Sequence, residues 1–228
     1  MSKSSPKDKA KNKENGYYIV FKYLHSVGAI ISCSNSNVVE SENTLILFMT
    51  TSEKSTIYTI GHSTRTIEEF LDLLFSFDIK ILADIRRLPG SRKYPQFDQD
   101  ELKKSLEENE IEYVYIEDLG GRRPAKKDSK NTTWRNKSFQ GYADYMETDS
   151  FSDGAAELAK FALEQPTAMM CSEAVWWRCH RSMVSDYFKA KGWEVLHIMA
   201  LGKATEHPFT APARVVGDQV FYSAENTD

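Results

Sequence analysis

From Ser55 onward the chain alternates short apolar runs with segments of helical period. The runs are "IYTI" (57–60), "KILADI" (80–85), "EYVYI" (112–116), "TAMMC" (167–171) and "WEVLHIM" (193–199). Each is short, apolar and bounded by turn residues, which predicts strands. Between the first two, Ile67, Phe70, Leu71 and Leu74 fall at i, i+3, i+4 and i+7, and Thr66 with Glu69 forms a capping box, so a helix is predicted there. Asp98 and Glu101 repeat that start signal before "LKKSLEEN". "FSDGAAELAKFALEQ" and "RCHRSMVSDYFKAKG" supply further helices, the second stopped by Gly192. "ARVVGDQVFY" reads as a small hairpin turning at Gly217-Asp218.

Strands alternating with helices are the signature of βαβ units with right-handed crossovers. The expected fold is α/β: a mainly parallel sheet flanked by helices in three layers, Rossmann-like or flavodoxin-like, with a small C-terminal hairpin. Residues 1–16 carry five lysines and two acids with almost nothing apolar, so a disordered basic tail is expected. Residues 17–54 form an N-terminal extension with two apolar runs, and Met49 within it resembles a natural start. Residues 55–228 are expected to be a single α/β domain.

The 228 residues carry a formal net charge of −4, which gives no global pull toward nucleic acid or an anionic membrane. Charge is instead segregated locally. Arg86, Arg87, Arg92 and Lys93 fall together without an acid, and residues 121–140 hold seven basic side chains against Asp128 alone. The stretch 98–118 carries nine acids and two lysines, as a solvent-facing helix would. No long uncharged apolar run and no secretory signal is apparent, so a cytoplasmic protein with no membrane partner is expected. Three cysteines, Cys33, Cys171 and Cys179, make no disulfide framework.

In open parallel sheets, ligands bind where the carboxyl ends of strands meet the following loops. Here those exits are Gly61-His62-Ser63, Asp84-Ile85-Arg86-Arg87, Leu119-Gly120-Gly121-Arg122-Arg123 and Cys171-Ser172-Glu173. All carry glycine, ionisable groups or both, whereas the strand entrances are plainer. A site lined by Asp84, Arg86, Arg92, Gly120, Gly121, Arg122, Tyr142 and Arg181 is therefore expected to take a phosphate-bearing small molecule or nucleic acid. Trp134, Phe139 and Tyr142 interleave with the basic loop and would either stack on bases or pack onto the domain.

The catalytic candidates are Glu173, Cys171, His180 and His62. Cys171 ends an apolar strand before a predicted helix, where a thiol is either an activated nucleophile or simply buried. Glu173 is a candidate base, nucleophile or orienting group, or a carboxylate complementing a helix N-terminus. His180 is expected on the inward face of the last helix's first turn, and His62 as a proton carrier or a cap. Arg181 would fork an anion or pair with Glu173 or Asp84. Asp84 is expected to pair with an arginine, since its flanks are apolar. Gly120-Gly121 would admit backbone close to a ligand. Cys179 lies about 100° round a helix from His180, and Cys171-x7-Cys179 is not a Cys-x-x-Cys pair. Neither a metal nor another cofactor is therefore expected, although zinc held by Cys171, Cys179 and His62 is a further reading.

The segments "YTIGHSTRTIEEFLDLL", "LADIRRLPGSRKYPQF", "EYVYIEDLGGRRP", "FQGYADYM", "CSEAVWWRCHRS" and "GWEVLHI" resemble the domain of unknown function 488 family, over about residues 56–199. The resemblance implies a compact α/β domain. It marks His62, Asp84, Arg86, Gly120, Gly121, Cys171, Glu173, Cys179, His180 and Arg181, and implies no particular reaction. Two functions are then in view: a hydrolase or glycosidase-like enzyme acting on a nucleotide or nucleic acid, using Glu173 or Cys171 with His180, and a non-catalytic module binding such ligands.

Overall fold

A computed structural model describes residues 54–224. The expectations for the basic tail, for the extension through residue 53 and for Cys33 lie outside the described residues. Strand β1 (Thr56–Gly61) leads through helix α1 (Ile67–Phe75) to β2 (Ile81–Asp84). Helix α2 (Gln99–Glu107) and β3 (Glu112–Tyr115) follow, then α3 (Lys137–Met146), α4 (Asp149–Glu164) and β4 (Thr167–Cys171). Helix α5 (Arg181–Ala190), β5 (Glu194–Ala200) and β6 (Lys203–Glu206) complete the main sheet. The hairpin β7 (Arg214–Val216) and β8 (Gln219–Phe221) stands apart, with Gly217 at its turn in the left-handed region at φ 61°.

The six strands lie in the order β3-β2-β4-β1-β5-β6, all parallel except the β5–β6 pair. Alternation along the strands divides the core in two. On one face Ile60, Leu82 and Met170 pack against Phe70 and Leu74 of α1 and Leu102 and Leu106 of α2. On the other, Ile57, Ala83, Met169 and Val195 pack against Tyr142 of α3, Phe151 and Leu158 of α4, and Met183 and Phe188 of α5. The result is the expected three-layer α/β arrangement. Burial of one such large apolar side chain stabilises the fold by about 1.5–3 kcal/mol. Among the described residues, no helix is long and apolar enough to cross a membrane.

Local signals account for several boundaries. Thr66 caps α1: its hydroxyl accepts from the Glu69 amide, and the Glu69 carboxylate accepts from the Thr66 amide. Asp98 also sits at an N-cap, but its carboxylate accepts from the Ser91 amide at 3.3 Å, so the second capping box does not form. The bond instead ties down the loop after β2.

Register places the strand ends level. Gly61 stands beside Cys171, while Asp84 stands beside both Met170 and Tyr115. The chain leaves β1 toward β2 through α1 on one face, and leaves β4 toward β5 through α5 on the other. These adjacent exits diverge, and a crevice opens above them.

Candidate active site

The crevice is a cavity of about 830 Å³ at the carboxyl ends of β1, β2 and β4, closed on one side by the loop after β3 and the start of α3. His62, Arg86, Gly121, Arg122, Tyr142, Cys171, Glu173 and His180 all line it. Residues separated by more than a hundred positions are thus brought to one sheet edge. Asp84, Arg92, Gly120 and Arg181 are not among its lining residues.

At its floor stand Cys171, Cys179 and His180. The Nδ1 atom of His180 is 3.9 Å from Cys171 Sγ and 3.6 Å from Cys179 Sγ, and the three donor atoms all lie within 4.8 Å of one another. The 100° separation expected from a helix does not apply. Helix α5 begins only at Arg181, His180 occupies its N-cap position, and Cys179 precedes it with extended φ −129° and ψ 147°. The turn through Trp176–Arg178 swings both residues back over the end of β4. Cys171 and Glu173 accordingly do not sit at a helix N-terminus in sequence, although the start of α5 returns to Cys171 in space.

The tautomer of His180 follows from its neighbours. Its Nε2 is 3.1 Å from the Ile85 carbonyl, which only accepts, so Nε2 carries a hydrogen and Nδ1 is the ring nitrogen that faces the two sulfurs. The thiol of Cys179 donates toward Cys171 and, against burial, holds Cys171 well below the usual thiol range, with help from His180 and Arg181. Burial, and then the charge on Cys171, push Cys179 well above that range. Of the two thiols, Cys171 is therefore the one whose ionisation the surroundings favour.

His62 lies beside them. Its amide donates to the Cys171 carbonyl at 3.1 Å, and its ring stacks on Phe97 with centroids 4.2 Å apart. Nδ1 donates to the Ser63 carbonyl at 3.0 Å, and buried Nε2 has no hydrogen-bond partner. Burial and the nearby charge of Arg86 lower its pKa to about 4, so the imidazole is neutral near pH 7. Ser63 and Arg122, both lining the cavity, hold positive φ of 54° and 56°. Left-handed backbone at non-glycine residues is costly and concentrates at functional sites.

Several expected ligand groups instead hold the scaffold together. Asp84 pairs with Arg86 as expected, accepting from Nε at 2.9 Å and Nη2 at 2.5 Å, and also accepts from the Tyr113 hydroxyl at 2.8 Å. Arg86 in turn donates to the Phe97 carbonyl at 2.7 Å, so it reaches the cavity with much of its fork already engaged. Arg181, 1% exposed, pairs with no carboxylate among the described residues. Its guanidinium donates to the main-chain carbonyls of Ile60, Glu173 and Ala174, clamping the ends of β1 and β4 together. Arg92 is exposed outside the cavity, and Gly120 packs against Arg87.

Gly121 does allow a close approach, but to a side chain: a Cβ there would stand 2.7 Å from His180 Nδ1. Tyr142 donates its hydroxyl to the Leu119 carbonyl, and Trp134 stacks on Phe139 at 4.7 Å and lies close to Tyr222. These aromatics pack onto the domain rather than standing out as a base-stacking platform. Glu173 is exposed at the rim.

The rim is basic. Arg87, Lys93, Arg122 and Arg178 line the opening with Glu173 as the sole acid among the lining residues. Arg87 pairs with Glu117 at 2.7 Å, while Lys93, Arg122 and Arg178 form no ion pair among the described residues.

A second buried polar cluster escaped the sequence reading. Thr59, His197, His207 and Asp186 form a hydrogen-bonded chain with steps of 2.6, 2.9 and 2.9 Å, and Tyr222 donates to Asp186 at 2.8 Å. It ties the hairpin and the segment after β6 to α5 and β1. No motif spacing links these residues, although His197 in the apolar run "WEVLHIM" was a visible signal.

The pattern of the family described as "Domain of unknown function DUF488" matches residues 66–188, more than half of the chain. The chain belongs to this family. In this DUF488 protein the match contains the floor residues Cys171, Cys179 and His180, whereas His62 lies just upstream of it. No curated protein and no solved structure matches the chain.

Proposed function

We propose that the cavity is the active site of a hydrolase acting on a phosphate-bearing substrate such as a nucleotide or nucleic acid. The observation that carries this reading is the stacking of two unlike layers. Lys93, Arg122 and Arg178, which form no ion pair among the described residues, lie over a floor of buried Cys171 and Cys179 and half-buried His180, beside the unpartnered Nε2 of His62. Guanidinium groups hold phosphate oxygens by paired, charge-assisted hydrogen bonds. A site that only binds anions has no use for a buried, unpartnered imidazole nitrogen on a residue that lines the same cavity.

His62 is the candidate base. Nε2 takes a proton from water as the water oxygen forms a bond to the electrophilic centre. The bond to the leaving group breaks, and the imidazolium returns the proton to the departing atom, so one water is consumed. A bound anion beside His62 offsets the repulsion by Arg86 and makes Nε2 more basic.

The test is a panel of p-nitrophenyl phosphate, bis-p-nitrophenyl phosphate and nucleoside phosphates, assayed with the full chain and with His62→Ala, Arg122→Ala and Arg178→Ala. Turnover lost by at least about 100-fold in His62→Ala, the usual scale for a positioned base, supports the reading. The rim variants should raise KM. Turnover indifferent to His62, or calorimetric pyrophosphate binding indifferent to Arg122 and Arg178, overturns it.

A further inference from the structure

We propose that Cys171, Cys179 and His180 bind one divalent metal ion of the zinc class, with one coordination position open to the cavity. The inference deepens the hydrolase reading by naming what activates water there, but its support is donor geometry alone. Around a tetrahedral zinc, with bonds of about 2.3 Å to sulfur and about 2.0 Å to nitrogen, neighbouring donors stand roughly 3.5–3.8 Å apart. The distance of 3.6 Å from His180 Nδ1 to Cys179 Sγ falls within that spacing, and the 3.9 Å to Cys171 Sγ lies just beyond it.

Three further features point the same way. The Ile85 carbonyl accepts from His180 Nε2–H, the outer-shell bond that fixes a ligating imidazole's tautomer and ring orientation. The Arg181 amide points at Cys179 Sγ from 3.5 Å, a contact that favours thiolate. Gly121 lacks the Cβ that would stand 2.7 Å from Nδ1, so its backbone lets the His180 ring pack in this orientation.

The donor set selects the ion. Two thiolates and a neutral imidazole suit zinc-class metals and disfavour magnesium and calcium, which take oxygen donors. Two thiolates also cancel a dication, so the buried floor carries no net charge when loaded. Three protein donors and an open fourth position mark catalytic rather than structural zinc sites, and a water there loses its proton near pH 7, with a pKa of about 7. His62 stands outside the donor group and remains free to receive that proton.

The full chain, reduced and stripped with a chelator, is titrated with cobalt(II) and then zinc. One cobalt per chain should produce thiolate-to-cobalt charge-transfer absorption and the visible bands of a tetrahedral site, and one equivalent of zinc should abolish both. Cys179→Ser and His180→Ala should each weaken cobalt binding by at least about 100-fold, since even outer-shell changes cost roughly 10- to 100-fold. Cys33→Ser should leave it unchanged.

A measurement on the unaltered chain guards against variants that fail to fold: zinc should protect two of the three thiols from a thiol reagent. Absence of the charge-transfer band, equal binding by Cys179→Ser and His180→Ala, or no thiol protection overturns the proposal. Phosphoester turnover that survives chelation removes the metal and leaves the hydrolase reading standing. Cobalt binding without turnover of any ester does the reverse.

Discussion

The Nε2–H of His180 donates to the main-chain carbonyl of Ile85 at 3.1 Å, so the first residue beyond strand β2 decides where the other ring nitrogen points. Without that bond the ring has no reason to offer Nδ1 to the sulfurs of Cys171 and Cys179. His180→Ala removes the imidazole partner of that carbonyl and empties the space between Gly121 and Tyr142, whose ring lies 5.0 Å away. Leaving a largely buried acceptor unsatisfied costs about 1–3 kcal/mol. Urea denaturation of metal-free protein should show an unfolding free energy lower by that amount, read as a lower midpoint with an unchanged slope.

Asp84, fully buried, carries the charge that makes a buried Arg86 tolerable. Removing one partner of such a pair typically costs about 3–5 kcal/mol, because the other charge is left without compensation. Asp84→Ala should therefore be far more destabilising than Asp84→Ala combined with Arg86→Met, which removes both charges. If the double variant is no more stable than the single one in urea, the pair is not what holds the exit of β2 in place.

How much of this was legible in the sequence depends on the range of the deciding contact. The β1, β2, β3, β4 and β5 runs and the Thr66 cap were readable because period, composition and capping are local. Helix α3 was not: "KSFQGYADYM" looks like loop because of Gly141, whose missing Cβ would lie 2.2 Å from the Arg123 carbonyl. That glycine is there for tertiary packing, which no local signal records. The strand-end rule assembled His62, Arg86, Cys171 and His180 correctly at one edge, since it depends only on strand direction. Arg181 sits at the same edge, but its guanidinium is turned to the carbonyls of Ile60, Glu173 and Ala174 and not to Glu173's or Asp84's carboxylate, a choice no local signal records. Likewise, Cys179 and His180 meet because the helix starts later than the pattern of apolar positions suggests.

Gly61 is the place where the exits of β1 and β4 touch. A Cβ there would lie 1.9 Å from the Glu173 carbonyl oxygen, 2.8 Å from its carbon and 2.9 Å from Arg181 Nη1. The nearest obstacle is backbone, itself held by the Arg181 clamp, so it has little room to yield. Overpacking in a well-packed region usually costs about 1–3 kcal/mol and occasionally more. Gly61→Ala should fall at or above the top of that range, and should also displace Glu173 from the rim. A thermal midpoint within a degree or two of the parent would show that the two exits are not tightly packed.

His197 makes stability depend on pH. Its Nδ1 accepts from Thr59, its Nε2–H donates to His207, and Trp176 stacks on its ring at 4.4 Å. Burial first, then electrostatic opposition from the neighbouring His207 and Arg181, lower its pKa to about 2. In the unfolded chain the same imidazole titrates near the ordinary value of about 6.5. As pH falls below that value the unfolded state binds a proton that the folded state refuses, so stability present at neutral pH is progressively lost. The loss approaches about 1.4 kcal/mol per pH unit, or about 2 kcal/mol between pH 7 and pH 5. His197→Gln should be less stable at pH 7, because the Thr59–His207 chain is broken, yet its stability should fall less steeply on acidification, by about one proton. Urea unfolding of both proteins at several pH values separates the two effects. Parallel pH profiles would show that His197 is not the group that refuses the proton.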